Sequence, residues 1–351
     1  MFNKSAAAVL QALWWSEGLT RRELTSMLGL SRPTVDKAIK ELLALDLITP
    51  LGRRPSGGGR PALSFMLNAT ARLVLGVDLE LPHLDVILAD LRGLPVKTKR
   101  TKLTGDLSDP LATLSRLADL LRAWTEEAGH PWGQVAGVGV GVPGFIVDGL
   151  VSILGRNLPT WLRVPAQKVL EERLGVPVQV NHDVHFMALA EAQRGGWNSR
   201  VLLYLALRPG LRGDMRLGAS LLLQGEIYPG AHGNGATLYR AFVGPEELEG
   251  LAGEALAERL AERLTSSLVH AVTLFDPDRV VIQAEALGDL EPLFLERCRR
   301  HLEQALAGEF VGPVEVVPAR VRGPSGAQGA AIGVVQGLAR WPERLFDVGR
   351  G

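Results

Sequence analysis

The sequence predicts an α/β chain in two parts: a small N-terminal unit of three helices with a β-hairpin, and a larger two-lobed α/β body. Three observations carry that expectation. Short amphipathic helices with start and stop signals fill the first 46 residues, a glycine-rich basic turn separates two strand patterns before residue 67, and a strand pair followed by a helix occurs twice in the remainder. A chain of 351 residues that is 46% apolar and 22% charged has ample core for two or three domains.

The first helix is read from Val9, Leu10, Leu13 and Trp14, and it ends near Gly18. Thr20-Arg21-Arg22-Glu23 then has the spacing of a capping box, in which the Thr hydroxyl takes an orphan N–H of the first turn and the Glu reaches back to the cap. Leu24, Met27 and Leu28 are expected to form the apolar face of this second helix, and Gly29 stops it. Ser31 caps a third helix with Pro33 in its first turn, and Val35, Ile39, Leu42, Leu43 and Leu45 are its expected buried face to about Asp46. Two short helices across a Gly turn, the second starting with polar and basic residues, form a helix-turn-helix. Ser31, Arg32, Thr34 and Lys37 would face the major groove, where Arg and Lys read guanine edges. Leu51 to Pro61 followed by the alternating Ala62–Leu67 reads as a wing, with Arg53, Arg54 and Arg60 on phosphates or in the minor groove. The bland alternative is a helical subdomain with a solvated basic loop.

Charge supports the division. The chain totals zero, with 38 Lys and Arg against 38 Asp and Glu. Residues 1–68 hold nine basic and five acidic side chains, +4, which leaves −4 on the rest, so the body should be repelled by a duplex and leave the wing and helix as the contact. A lone cysteine, Cys298, excludes a disulfide framework and a Cys-rich zinc site. With no signal-peptide pattern at Met1-Phe2-Asn3-Lys4 and no run of about 18 apolar residues, a cytoplasmic protein without a membrane partner is expected.

Leu30-Ser31-Arg32-Pro33-Thr34-Val35, then Glu41-Leu42-Leu43, the Ser56-Gly57-Gly58-Gly59-Arg60-Pro61 wing and Leu67-Asn68 resemble the N-terminal winged helix of ROK-family transcriptional regulators, a group that includes sugar-responsive repressors. The resemblance continues through Gly137–Gly144, Arg156-Asn157-Leu158, Asn181-His182-Asp183-Val184 with Ala190-Glu191, Gly230–Asn234 and Gly326–Ala331. It implies an actin-like, sugar-kinase-like body. The expected organisation is a DNA-binding domain at 1–70 and a ROK-like domain at 71–351. Its first lobe would be about 71–182 plus a C-terminal helix about 325–351, and its second lobe about 183–324. The resemblance also places Asp183 where the kinases keep a catalytic carboxylate and Asn157 where an amide meets sugar, with His182 and His232 near the same cleft.

Departures from the family pattern shape the functional expectation. Kinases of this fold cradle phosphates on glycine-rich hairpins, because only glycine lets backbone N–H groups come close. Here the first hairpin turn is Leu79-Glu80-Leu81-Pro82-His83, and the second, from Arg208 to Arg216, keeps scattered glycines only. Thr237 stands where the family usually has a sugar-binding Glu and Arg240 where it has a zinc His, so no metal or other cofactor is expected. Arg208, Arg212 and Arg216, with Arg240, could hold an anionic effector in guanidinium forks; paired or solvated arginines are the alternative. The expectation is a dimeric, non-enzymatic repressor on double-stranded, palindromic operator DNA, with a small sugar-like or anionic effector. Two rivals stay open: ligand-independent repression with the body used for dimerisation, and an active sugar kinase supported by Asp183 alone.

Overall fold

The computed structural model describes residues 4–56, 59–147, 149–153, 161–210, 213–238, 241–307 and 314–346, and the side chains of residues 53–61 lie outside that description. Helix α1 (Lys4–Trp14) leads through the two-residue strand β1 (Leu19–Thr20) to α2 (Arg21–Leu28) and α3 (Arg32–Ala44). The capping box forms as its spacing predicts: Glu23 N–H donates to the Thr20 hydroxyl, and the Glu23 carboxylate accepts from the Thr20 N–H at 2.7 Å. Gly29 ends α2 with φ +63°, a left-handed turn that suits a residue without Cβ. Strands β2 (Ile48–Ser56) and β3 (Gly59–Leu67) form the expected antiparallel hairpin, and β1 adds to its edge.

Two expectations about this unit need correcting. Met27 is 62% exposed rather than on the apolar face of α2, and Leu43 is 39% exposed. In helices this short, one turn of the stripe meets the neighbouring helix and the next has nothing to face; only Leu24 of α2 is fully buried.

The body opens with an antiparallel meander, β4 (Leu73–Glu80), β5 (His83–Asp90) and β6 (Pro95–Lys102), followed by α4 (Pro110–Glu127) and β7 (Val135–Val142). A small hairpin, β8 (Phe145–Val147) and β9 (Leu150–Ser152), precedes α5 (Ala166–Leu174) and β10 (Val178–His182). The resulting sheet has the order β10-β7-β4-β5-β6, with β4, β7 and β10 parallel. Helix α6 (Asp183–Arg194) then leads to the second sheet. There β11 (Val201–Pro209) and β12 (Met215–Leu223) pair antiparallel, and the short strands β13 (Glu226–Ile227) and β14 (Phe242–Val243) pair with β12.

The leucine stripe at Leu256, Leu260, Leu264 and Leu268 predicts a helix over 254–274, and α8 (Gly253–Phe275) forms there; the longer helical span expected over 248–274 is broken, because α7 (Pro245–Leu248) stops and Gly250 takes positive φ before α8 opens at Gly253. The chain continues through β15 (Arg279–Gln283), α9 (Glu291–Ala305), β16 (Glu315–Pro318) and α10 (Ser325–Arg340), and β15 and β16 extend the second sheet in parallel. Leu260, Leu264 and Leu268 of α8 are buried in the core of the second lobe, so that leucine stripe is internal.

Two packing features position the N-terminal unit and the cleft between the lobes. Helix α10 lies so close to β4, β7 and α6 that a Cβ at Gly76, Gly139 or Gly329 would collide with backbone of Ala327, Ala330 or Phe186 respectively; these glycines set helix-to-sheet distance. The N-terminal unit shares one hydrophobic core with the first lobe: Leu10, Leu13 and Trp14 of α1 pack with Val74, Ile87, Leu91, Val334 and Leu338. The Trp14 Nε1–H also donates to the Leu91 carbonyl at 3.1 Å, and Arg92 Nη2 to the Ser16 carbonyl at 3.0 Å.

Candidate nucleic-acid interface and interlobe cleft

The first three turns of α3 present their polar residues outward because the inward positions are taken by Val35, Ala38 and Ile39, all fully buried. Ser31 caps the helix by accepting from the Thr34 N–H, and the two hydroxyls lie 2.7 Å apart. Ser31, Arg32 and Lys37 are exposed and Thr34 is half-buried, so the structure puts these four candidates at the start of one helix. Asp36, the acidic residue among them, is bound to Arg21 of α2 at 2.7 Å, and the Arg21 guanidinium stacks over the Phe65 ring at 4.6 Å. That brace fixes α2 on α3 and offsets the one carboxylate that would oppose a phosphate in this stretch. Arg22 and Lys40 are exposed too. Neither is among the contacts expected from the sequence, although a polar run with a period near 3.6 marks both. The backbone of the hairpin carrying Arg53, Arg54 and Arg60 runs antiparallel as expected; their side chains lie outside the described ones.

The body is not uniformly acidic. Strand β6, at the edge of the first sheet, carries Lys97, Lys99, Arg100 and Lys102, of which Lys99 pairs with Glu127 at 3.2 Å and Arg100 with Asp85 at 3.8 Å. The expectation of a purely repellent body therefore needs correction at this edge, where charges also discourage strand-to-strand aggregation.

In the cleft, β10 delivers His182 and α6 begins at Asp183, both buried. The Val184 N–H donates to Asp183 Oδ1 at 2.8 Å and the His182 Nδ1 lies 2.9 Å from the same oxygen, closer than its 3.3 Å to the Val184 nitrogen. The other carboxylate oxygen, Oδ2, accepts from Arg208 Nη1 at 2.8 Å. Arg208 extends from β11 in the second lobe, and its Nη2 reaches Glu80 Oε2 at 2.7 Å and Asp78 Oδ2 at 3.3 Å on β4 of the first. One guanidinium thus spans both lobes and three carboxylates. Of the two readings of Arg208 the paired one holds: its guanidinium is spent on internal carboxylates rather than kept for an anion. Arg216 likewise pairs with Asp214 at 2.7 Å, while Arg212 and Arg240 lie outside the described residues.

The electrostatics come from burial and these contacts. Burial pushes the Asp78 carboxyl up to about 6, opposed by Arg208 and aided by Asp183 and Glu80. Burial would raise Asp183 as well, but the hydrogen bond and proximity of His182 and the Arg208 charge outweigh it and hold Asp183 at about 2. His185, in the first turn of α6, is pushed down to about 4 by burial and by the neighbouring His182. Its Nδ1 and Nε2 each lie 3.2 Å from an oxygen, Asn181 Oδ1 and the Gly235 carbonyl, and a neutral ring donates to only one of them.

Asn157 lies outside the described residues, and His232 is exposed. Two residues from His232, Asn234 makes a second bridge between lobes: its amide accepts from the Ile146 N–H at 3.0 Å and donates to the Ile146 carbonyl at 2.8 Å. Asp78, Glu80, Arg208 and Asn234 are the cleft residues whose roles the sequence reading missed; opposite charge on two distant hairpins was the available signal. Among the described residues no three His, Cys, Asp or Glu converge as a metal site, and no helix is long and apolar enough to cross a membrane.

The model of the ROK family matches residues 74–239 and 246–336. The chain belongs to the ROK family. Among curated relatives, the xylose repressor of Bacillus subtilis is 24% identical over 227 residues, covering 64% of this chain and 56% of that protein. The DNA-binding transcriptional repressor Mlc of Escherichia coli is 24% identical over 228 residues, covering 64% of this chain and 54% of that protein. The chain thus spans a little over half the length of these relatives. A ROK-family transcriptional regulator described as a homologue of Mlc superimposes with a TM-score of 0.71 over 99% of both chains at 17% identity. A ROK-family glucokinase from Streptomyces griseus, in complex with glucose and AMPPNP, superimposes with 0.56 over 74% of this chain and 98% of that one at 21% identity. The ROK fold extends across the body, and the regulator's structure also covers the N-terminal unit.

Proposed function

We propose that this ROK protein is a DNA-binding transcriptional repressor. The observation that carries the reading is the capped helix α3, whose first turns turn Ser31, Arg32, Thr34 and Lys37 outward beside a hairpin with three arginines in sequence. Its likeness to proteins named xylose repressor and Mlc repressor supports the same reading. A single unit of this kind contacts one half-site, so the protein acts as a homodimer on a palindromic operator.

Within this reading, the Arg208 bridge favours repression that needs no sugar in the cleft: Asp183, which in a sugar site would accept a hydroxyl proton, already accepts from a guanidinium. The same bridge and the glycine-poor hairpins speak against phosphoryl transfer, which needs open backbone N–H groups around the nucleotide.

Mobility shifts on DNA flanking the gene test the proposal. The expected result is a sequence-specific complex whose affinity falls steeply with salt and drops on Arg32→Ala. Binding that ignores sequence at every salt concentration overturns it. ADP release on a panel of sugars that disappears in Asp183→Asn would instead make the protein a kinase.

A further inference from the structure

We propose that the interlobe cleft is a guanidinium-binding site whose ligand is supplied in cis by Arg208, so that the protein holds its own lobes together with no bound effector. The geometry is that of a ligand in a receptor. The guanidinium enters from the second lobe, while two of its three carboxylate partners, Asp78 and Glu80, belong to the first lobe, and the third, Asp183, stands at the start of the helix between them. Two of the five N–H donors of a planar fork reach Asp183 and Glu80 at 2.8 and 2.7 Å, lengths of charge-assisted bonds.

The enclosure is built for a cation beyond the needs of one arginine. Asp78 and Asp183 are more than nine-tenths buried, three carboxylates face one guanidinium, with the His182 ring beside Asp183 alone, and the second oxygen of Asp78, Oδ1, is buried with no hydrogen-bond partner among the described residues. A sugar phosphate or sugar acid would meet net negative charge here, whereas a planar cation finds acceptors on both walls. Lysine at this position would supply one point charge and could not engage both walls at once. The clamp does not depend on DNA binding, so either proposal can fail alone.

Chemical rescue tests it on the full-length protein. Arg208→Ala should lower Tm by about 5 °C, because three carboxylates then share a cleft without their guanidinium and Asp183 alone keeps a partner ring, His182. Millimolar methylguanidinium should restore at least half of that loss with saturation, and leave the unsubstituted protein unmoved. Equal recovery with sodium chloride at matched ionic strength, no recovery with methylguanidinium, or a variant that melts like the parent overturns the proposal. Should Arg208→Ala fail to fold, Arg208→Lys is compared with the parent by electron-electron spin distances between labels on Thr98→Cys in the first lobe and Glu303→Cys in the second; Cys298 is buried. A broadened or longer distance supports the clamp, and an unchanged narrow one overturns it.

Discussion

The start of helix α3 and the floor of the interlobe cleft treat charge in opposite ways. On α3, Arg32 and Lys37 are exposed at the end of a well-capped helix, and the acidic neighbour Asp36 is taken by Arg21. In the cleft, Asp183, Glu80 and Arg208 are already satisfied by one another across two lobes. A surface that leaves cations in water keeps them for a partner, and a network that pairs them across the lobes spends them on stability. The consequence is a crossing pattern: substitutions in the cleft should change stability and leave DNA affinity alone, and those on α3 should do the reverse.

The largest effect expected is from Asp183→Ala. Removing the carboxylate takes the 2.8 Å acceptor from Arg208 Nη1 and the 2.9 Å partner from the His182 ring while Asp78 and Glu80 still face the guanidinium, at a cost of about 3 kcal/mol in urea unfolding. Operator affinity measured at equal folded concentration should move less than about twofold, within the ordinary scatter of neutral sites. A large loss of affinity in the folded variant would break the comparison.

Next comes the pH dependence of the cleft. His185 titrates near 4 in the folded chain and near 6.5 unfolded, so the unfolded state binds more protons between those values. Its contribution is complete above pH 6.5 and is lost as pH falls toward 4, about 3 kcal/mol at the limit. Asp78, raised from 3.8 to about 6, works the other way: the folded state binds the extra proton, so its contribution is present below pH 3.8 and lost as pH rises toward 6. The two oppose each other in the same window. His185→Gln should therefore leave a protein that gains stability on acidification from pH 6 to pH 4; urea midpoints across that range check it, and a continued loss assigns the acid sensitivity to other groups.

Arg32→Ala should weaken operator binding by about 1–3 kcal/mol, roughly thirtyfold at the middle of that range, with stability changed by less than about 0.5 kcal/mol. Titration of labelled operator and thermal unfolding together read both halves. The smallest effect is at the cap: Thr20→Ala should cost about 1 kcal/mol of stability by freeing the Glu23 N–H, and Thr20→Ser should restore most of it.

Much of the N-terminal unit was legible in the chain because its signals are local. The Thr20–Glu23 box, the stop at Gly29, the Ser31 cap and the hairpin at 48–67 each depend on a few consecutive residues. Met27 and Leu43 were misplaced because an apolar stripe shows which side of a helix is inward, and how far along it a neighbour extends is a tertiary matter. The break between α7 and α8 falls at Gly250, ahead of the leucine stripe that begins at Leu256, and a glycine between two helical patterns does not by itself show that the helix stops.

In the body the same contrast is sharper. The Gly326–Ala331 run was recognisable as a family segment, but its use, letting α10 approach β4 and α6, appears only when the facing Gly76 and Phe186 are in place. The +4 and −4 division was correct as a sum and silent on distribution, since the basic strand β6 belongs to the negative part.

By itself the sequence determined the winged unit, the absence of a cysteine framework and the loss of glycine from the phosphate hairpins, because caps, turns and ligand sets are written in neighbouring residues. Only the tertiary structure decided what Arg208 does. A guanidinium in a loop can be solvated, can hold an anion or can close a cleft, and the outcome depends on Asp78 and Glu80, some 130 residues earlier in the chain, arriving within 3.3 Å. Long-range charge pairing has no local signature, and here it decided between a pocket for an anion and a guanidinium already paired.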